Sequence, residues 1–160
     1  MSITVGEQIP EVTLKRIRDG IETLDTRALF EGRNVVLFAV PGAFTPTCSA
    51  HHLPGFVEHF AAFRQRGIEV YCMAVNDPFV MKAWAESQHV PAGLLMLSDG
   101  NGEFTRALGL EMDASTSGMG VRSRRFALYV EDGTVREAWI EAPGKFDISS
   151  AEQVLEHLPG

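Results

Sequence analysis

Residues Val35-Val36-Leu37-Phe38-Ala39-Val40 form an unbroken apolar run that Pro41-Gly42 ends at once. A strand with one wet face alternates apolar and polar residues, so a continuous run of this length points to a strand covered on both faces. It predicts a central strand of a parallel sheet over Asn34 to Val40. Ile68 to Val75 and Leu94 to Leu97 are two further apolar strand segments. Between the first two, from Thr47 onward, Leu53, Phe56, Val57, Phe60 and Phe63 recur at helical spacing. Pro54-Gly55 is expected to kink or interrupt that helix, which should end near Gly67. Asp77 reads as the N-cap of a second helix through Phe79, Val80, Ala83 and Trp84.

The two ends of the chain read differently. Val12 to Leu24 alternates around Asp19-Gly20, and the segments 125–130 and 134–140 flank Asp132-Gly133, so each pair predicts a hairpin. Phe104 to Leu110 reads as a short helix and Ser150 to Leu158 as a final amphipathic one. The order is hairpin, then β-α-β-α-β-α, then hairpin and helix. It predicts an α/β protein with an N-terminal β-hairpin and a central mixed sheet flanked by helices, on a thioredoxin-like plan.

The 160 residues contain no internal repeat, low-complexity stretch or linker rich in Ser, Gly or Pro, and the expectation is one domain spanning 1–160. The net charge of -7 disfavours nonspecific attraction to nucleic acid or to an anionic membrane. A small molecule or a protein is the expected partner. The N-terminus lacks a basic start followed by an apolar run, and no segment approaches the roughly 20 apolar residues of a membrane span. A soluble cytoplasmic protein is expected, in which the two cysteines stay reduced.

Those cysteines differ sharply in setting. Cys72 lies inside the apolar segment Ile68 to Val75 and reads as a small buried hydrophobe. Cys48 sits among Thr45, Pro46, Thr47, Ser49 and Ala50, just past a strand end and in the first turn of a helix. Unpaired N–H groups and the positive end of the helix dipole favour an anion there, and the thiolate is the nucleophilic form of cysteine. Thr45, three residues upstream, could bring its hydroxyl to the sulfur or to a bound substrate oxygen. In a dithiol oxidoreductase that position would hold a second cysteine. No Cys-x-x-Cys pair is present.

His51 and His52 could act as a base toward Cys48 or as packing residues, and their role stays open. A zinc site is weakly supported, since the other histidines are scattered at 59, 89 and 157. Arg122, Arg124 and Arg125 cluster at the start of a strand, and any one of them could stabilise a thiolate and orient oxygens. Spacing does not choose among the three. The methionines, tryptophans and phenylalanines read as core, and the sequence shows neither a glycine-rich phosphate loop nor another sign of a nucleotide or flavin cofactor.

The segment Pro41 to Ser49, followed by His52-Leu53-Pro54-Gly55-Phe56, resembles the peroxidatic-cysteine signature of the peroxiredoxins, in their atypical type II branch. Val75-Asn76-Asp77, Phe104 to Leu110 and Arg124-Arg125-Phe126 extend the resemblance over nearly the whole chain. It implies a thioredoxin fold and a thiol peroxidase whose site comprises Pro41, Thr45, Cys48 and, by its position before Phe126, Arg125. Pro41 would shield the thiolate, Thr45 and Arg125 would hold the peroxide oxygens, and backbone N–H near Cys48 would complete the pocket. It also implies a homodimer. Some relatives carry a resolving cysteine near the C-terminus, whereas Phe146 to Ala151 here contains none. That departure is similar to members resolved by external glutathione with glutaredoxin, or by thioredoxin. A noncatalytic redox sensor, in which oxidation of Cys48 alters a partner's binding, is the rival expectation from another class.

Overall fold

The structure is a computed structural model and describes residues 2–159. Strands β1 (Thr13–Ile17) and β2 (Ile21–Asp25) form the first hairpin, with Asp19 and Gly20 at φ 55° and 116° making the turn. A short helix α1 (Thr26–Phe30) follows, capped by Asp25, whose side chain accepts from Arg27 N. The apolar run forms β3 (Asn34–Ala39). Next come a π-helical turn at Cys48–His52, α2 (Leu53–Glu58), α3 (Phe60–Gln65) and β4 (Glu69–Ala74). Then follow α4 (Pro78–Ser87), β5 (Leu95–Ser98) and α5 (Glu103–Leu108). A small hairpin of β6 (Glu111–Asp113) and β7 (Val121–Ser123) precedes β8 (Phe126–Glu131), β9 (Thr134–Ile140) and α6 (Ala151–His157).

The main sheet has seven strands in the order β2-β1-β5-β4-β3-β8-β9. Strand β3 runs parallel to β4, as the unbroken run predicts, but antiparallel to β8 on its other side. The N-terminal hairpin joins this sheet through an antiparallel contact of β1 with β5. Alternate residues of β3 face two separate cores. Val36 and Phe38 pack with Leu53, Phe56 and Phe63 of α2 and α3 and with Trp84 of α4, while Val35, Leu37 and Ala39 pack with Phe30, Phe104 and Leu108 of α1 and α5. Helices on both faces explain why β3 has no polar residue after Asn34.

The helix after Thr47 is irregular in a way that differs from the expected kink. Pro54 lies comfortably in the first turn of α2. Having no N–H, it cannot donate to the carbonyl four residues back, and the ladder widens just before it, with Leu53 N bonding to the Cys48 carbonyl. The break between α2 and α3 falls instead at His59, with φ -96° and ψ 9°. Helix α3 ends at Gln65, close to the expected point, and Gly67 at φ 74° turns the chain toward β4.

Candidate active site

The end of β3 hands the chain to a tight turn in which Thr45 N donates to the Gly42 carbonyl at 3.3 Å. Helical bonding begins when Ser49 N donates to the Thr45 carbonyl at 2.9 Å, so the N–H groups of Thr47 and Cys48 precede the first intrahelical donor. Two long-range bonds hold this turn. Asn76 Oδ1 accepts from Ala43 N at 2.9 Å, and Ser49 Oγ accepts from Trp84 Nε1 at 3.0 Å. Phe44 between them has φ 66°, which a bulky side chain adopts only under tertiary constraint.

Cys48 is fully buried, and its Sγ accepts a hydrogen bond from Arg125 Nη2 at 3.2 Å. Arg125 comes from the two-residue link between β7 and β8, whose strand is β3's antiparallel neighbour. The same guanidinium donates through Nη1 to His52 Nδ1 at 2.8 Å and lies 5.6 Å from the centre of the Phe146 ring. Two of its five donors are thereby committed, and the others can meet a substrate oxygen.

His52 shares the inward face with Cys48, four residues earlier on the widened turn. Its Nε2 donates to the Ser149 carbonyl at 2.9 Å, which leaves Nδ1 as the acceptor for Arg125. Burial, helped by the Arg125 charge, lowers its pKa to about 3, so the ring is neutral at physiological pH. A neutral imidazole that accepts from Arg125 orients the guanidinium. It is not a base for the thiol. Ser149 in turn is held by Glu141, whose Oε2 accepts from Ser149 N at 2.8 Å, Ser149 Oγ at 2.6 Å and Asp147 N at 2.8 Å.

The structure distributes the three candidate arginines clearly. Arg122 donates to the Met119 and Val75 carbonyls and braces loops, Arg124 donates to the Glu141 carbonyl, and Arg125 alone reaches Cys48. The expected strand start at 122–125 is also resolved into β7 ending at Ser123 and β8 beginning at Phe126. Thr45 donates its hydroxyl proton to the Gly42 carbonyl at 2.6 Å, so what it can offer a ligand is an acceptor. Pro41 and Thr47 line a cavity of about 200 Å³ whose wall includes Arg125 and Phe146. His51 is exposed.

Cys72 lies on β4, paired with Phe38 and Met96, and is fully buried. Burial pushes its thiol pKa well up, and charge on nearby Cys48 pushes it further. Both cysteines are free.

Sequence reasoning left His52 open and did not reach Glu141, Ser149 or Phe146. The local signals for His52 were its interval of four from Cys48 and its place in the signature segment His52 to Phe56. The other three residues meet the site only through tertiary folding.

A model of the redoxin family matches residues 4–155. Peroxiredoxin-2B of Arabidopsis thaliana is 45% identical over 159 residues, covering 98% of both chains. The chain is a peroxiredoxin. Peroxiredoxin-2E-2, chloroplastic, of Oryza sativa subsp. japonica is 50% identical over 98% of this peroxiredoxin and 73% of its own length. Among solved structures, reduced Prx3 in complex with hydrogen peroxide from Vibrio vulnificus has a TM-score of 0.92 at 44% identity, over 96% of this chain and 98% of that one. The peroxiredoxin is therefore a thiol peroxidase on a thioredoxin fold, as its sequence motifs imply.

Proposed function

We propose that this peroxidase runs a one-cysteine cycle, in which Cys48 reduces hydrogen peroxide and small organic hydroperoxides and an external thiol completes each turn. The carrying observation is Arg125 Nη2 donating to Cys48 Sγ at 3.2 Å while Cys72 is locked in the sheet. In the first half-reaction the Cys48 thiolate attacks one peroxide oxygen in line with the O–O bond. The S–O bond forms, the O–O bond breaks, and the other oxygen leaves as hydroxide or alkoxide and takes a proton. The remaining donors of Arg125 stabilise that leaving oxygen, the Thr45 hydroxyl accepts from the peroxide, and Pro41 screens the thiolate.

In the second half-reaction an external thiolate attacks the sulfenic sulfur. An S–S bond forms, hydroxide departs and is protonated, and exchange with a further thiol returns the Cys48 thiolate. Two observations favour an outside thiol. Burial keeps the Cys72 thiol protonated and its strand pairing holds it in place, and residues 146–151 contain no cysteine. Glutathione with glutaredoxin, or thioredoxin, would serve, in a reducing compartment such as the cytoplasm. Phe44 and Phe79, 55% and 63% exposed on adjacent segments joined by the Ala43–Asn76 bond, support a homodimer packing beside the site.

The test is peroxide consumption with glutathione plus glutaredoxin and, separately, with thioredoxin. Turnover in one system is expected. A monomeric Cys48 to Cys72 disulfide in peroxide-treated protein, seen in nonreduced peptides by mass spectrometry, would overturn the one-cysteine cycle.

A further inference from the structure

With Arg122 committed to loop carbonyls and Arg125 to the thiol, Arg124 is the member of the basic cluster whose role is unfilled. Its Nη2 donates to the Glu141 carbonyl at 2.7 Å, yet its Nε is buried with no hydrogen-bond partner. That Nε is sealed from the cavity, whereas Nη1 of the same guanidinium makes no hydrogen bond among the described residues and is not one of the buried atoms, so Nη1 is the donor that an acceptor in the cavity would meet. Arg124 lines the cavity of about 200 Å³ that opens beside Pro41 and Thr47, together with Arg125 and Lys145. Lys145 reaches that wall through a tight turn, in which its N–H donates to the Ala142 carbonyl at 3.0 Å and Gly144 sits at φ 76°.

The charge around this cavity reverses that of the whole chain. The protein has 14 basic and 21 acidic residues, yet among the described residues the ion pairs include none of Arg124, Arg125 and Lys145. Glu141 is the one carboxylate in the described lining, and three hydrogen bonds from Asp147 and Ser149 already occupy its Oε2. Met112 and Phe146 add apolar surface. Two arginines and a lysine around a small, partly apolar hollow match a carboxylate on a short carbon stem.

We infer that this cavity is a carboxylate subsite beside the reacting sulfur. It holds the carboxylate of a molecule whose other end reaches Cys48 past Thr47 and Arg125. Two kinds of molecule bring that chemistry to a peroxidatic cysteine: a hydroperoxide bearing a carboxylate, and a thiol bearing one, such as glutathione. The inference rests on the one-cysteine cycle and adds the charge for which it selects.

The test compares each acid with its ester, so that any general change in activity cancels within one protein. In one arm, with dithiothreitol as reductant, the substrates are a short hydroperoxy carboxylic acid and its methyl ester. In the other, with hydrogen peroxide as oxidant, the reductants are glutathione and its diethyl ester. Wild-type protein should prefer the acid by about tenfold in kcat/KM in at least one arm, the size of one charge-assisted contact. That arm identifies the source of the carboxylate. Lys145→Glu and Arg124→Gln should each bring the ratio toward one. Equal rates for acid and ester in both wild-type arms, or a preference that survives both substitutions, would overturn the subsite. A wild-type protein that consumes no hydrogen peroxide with dithiothreitol would instead overturn the cycle itself.

Discussion

Replacing His52 with leucine, a side chain of similar size, removes two buried hydrogen bonds and leaves their partners without substitutes. The bond from Arg125 is charge-assisted and contributes roughly 1.5–3 kcal/mol, and the stranded Ser149 carbonyl costs about 1–3 kcal/mol more. At about pH 7.5 the variant should therefore be less stable than wild type by about 2.5–6 kcal/mol. The pH dependence is the sharper signature. His52 titrates near 3 when folded, below its ordinary value of 6.5, so the unfolded chain takes up the proton first and falling pH favours unfolding. That loss begins near pH 6.5 and continues down to the folded value of about 3. At about pH 4.5, two units below 6.5, it amounts to about 3 kcal/mol. Leucine has no such proton, so the gap between the two proteins should narrow by about 3 kcal/mol between these conditions, while other groups titrate alike in both. Urea unfolding followed by tryptophan fluorescence at several pH values measures the gap directly. A gap that stays constant from about pH 7.5 to 4.5 would show that His52 protonates freely in the folded state, and the reading of it as Arg125's neutral acceptor would be wrong.

Arg125→Lys keeps the charge but not the fork that spans His52 and Cys48, so kcat/KM for hydrogen peroxide should fall about 100-fold or more in stopped-flow assays; an unchanged value would refute the role given to the guanidinium. Cys48→Ser should abolish peroxide turnover, whereas Cys72→Ser should keep most of it and lose about 1–3 kcal/mol of stability by burying a hydroxyl in the sheet. Glu141→Ala strands three donors of the 147–149 turn, so denaturant unfolding should show a loss of about 3 kcal/mol or more, with Glu141→Gln restoring part of it; full stability in the alanine variant would contradict this account.

Several elements were legible because their signals are local. The apolar run at 35–40, ended at once by Pro41-Gly42, points to a strand covered on both faces, and Asp19-Gly20 and Asp132-Gly133 supply the positive φ values that two hairpin turns require. Helix α1 went unread because a helix of this length has no stability of its own and forms by burying Leu29 and Phe30. The three-residue strands β6 and β7 are too short to show alternation. The widened turn at Cys48–His52 was signalled only by Pro54, whose missing N–H the ladder accommodates one residue earlier than a kink at the proline itself.

The sequence by itself set the two cysteines apart, Cys48 as the expected reactive thiol and Cys72 as the buried one, because polarity of neighbours and position at a strand end are properties of short segments. It also determined the family, through the run from Pro41 to Phe56. The family resemblance pointed to Arg125, but only the tertiary structure shows why that arginine, of the three, meets the sulfur. Arg122, Arg124 and Arg125 lie within three positions of one another, but the start of β8 beside β3 turns Arg125 alone of them toward Cys48, 77 residues away in the chain. The same holds for His52, whose tautomer depends on a Ser149 carbonyl 97 residues distant. Which donor a buried group finds is set by packing between strands and loops, and no spacing along the chain encodes it.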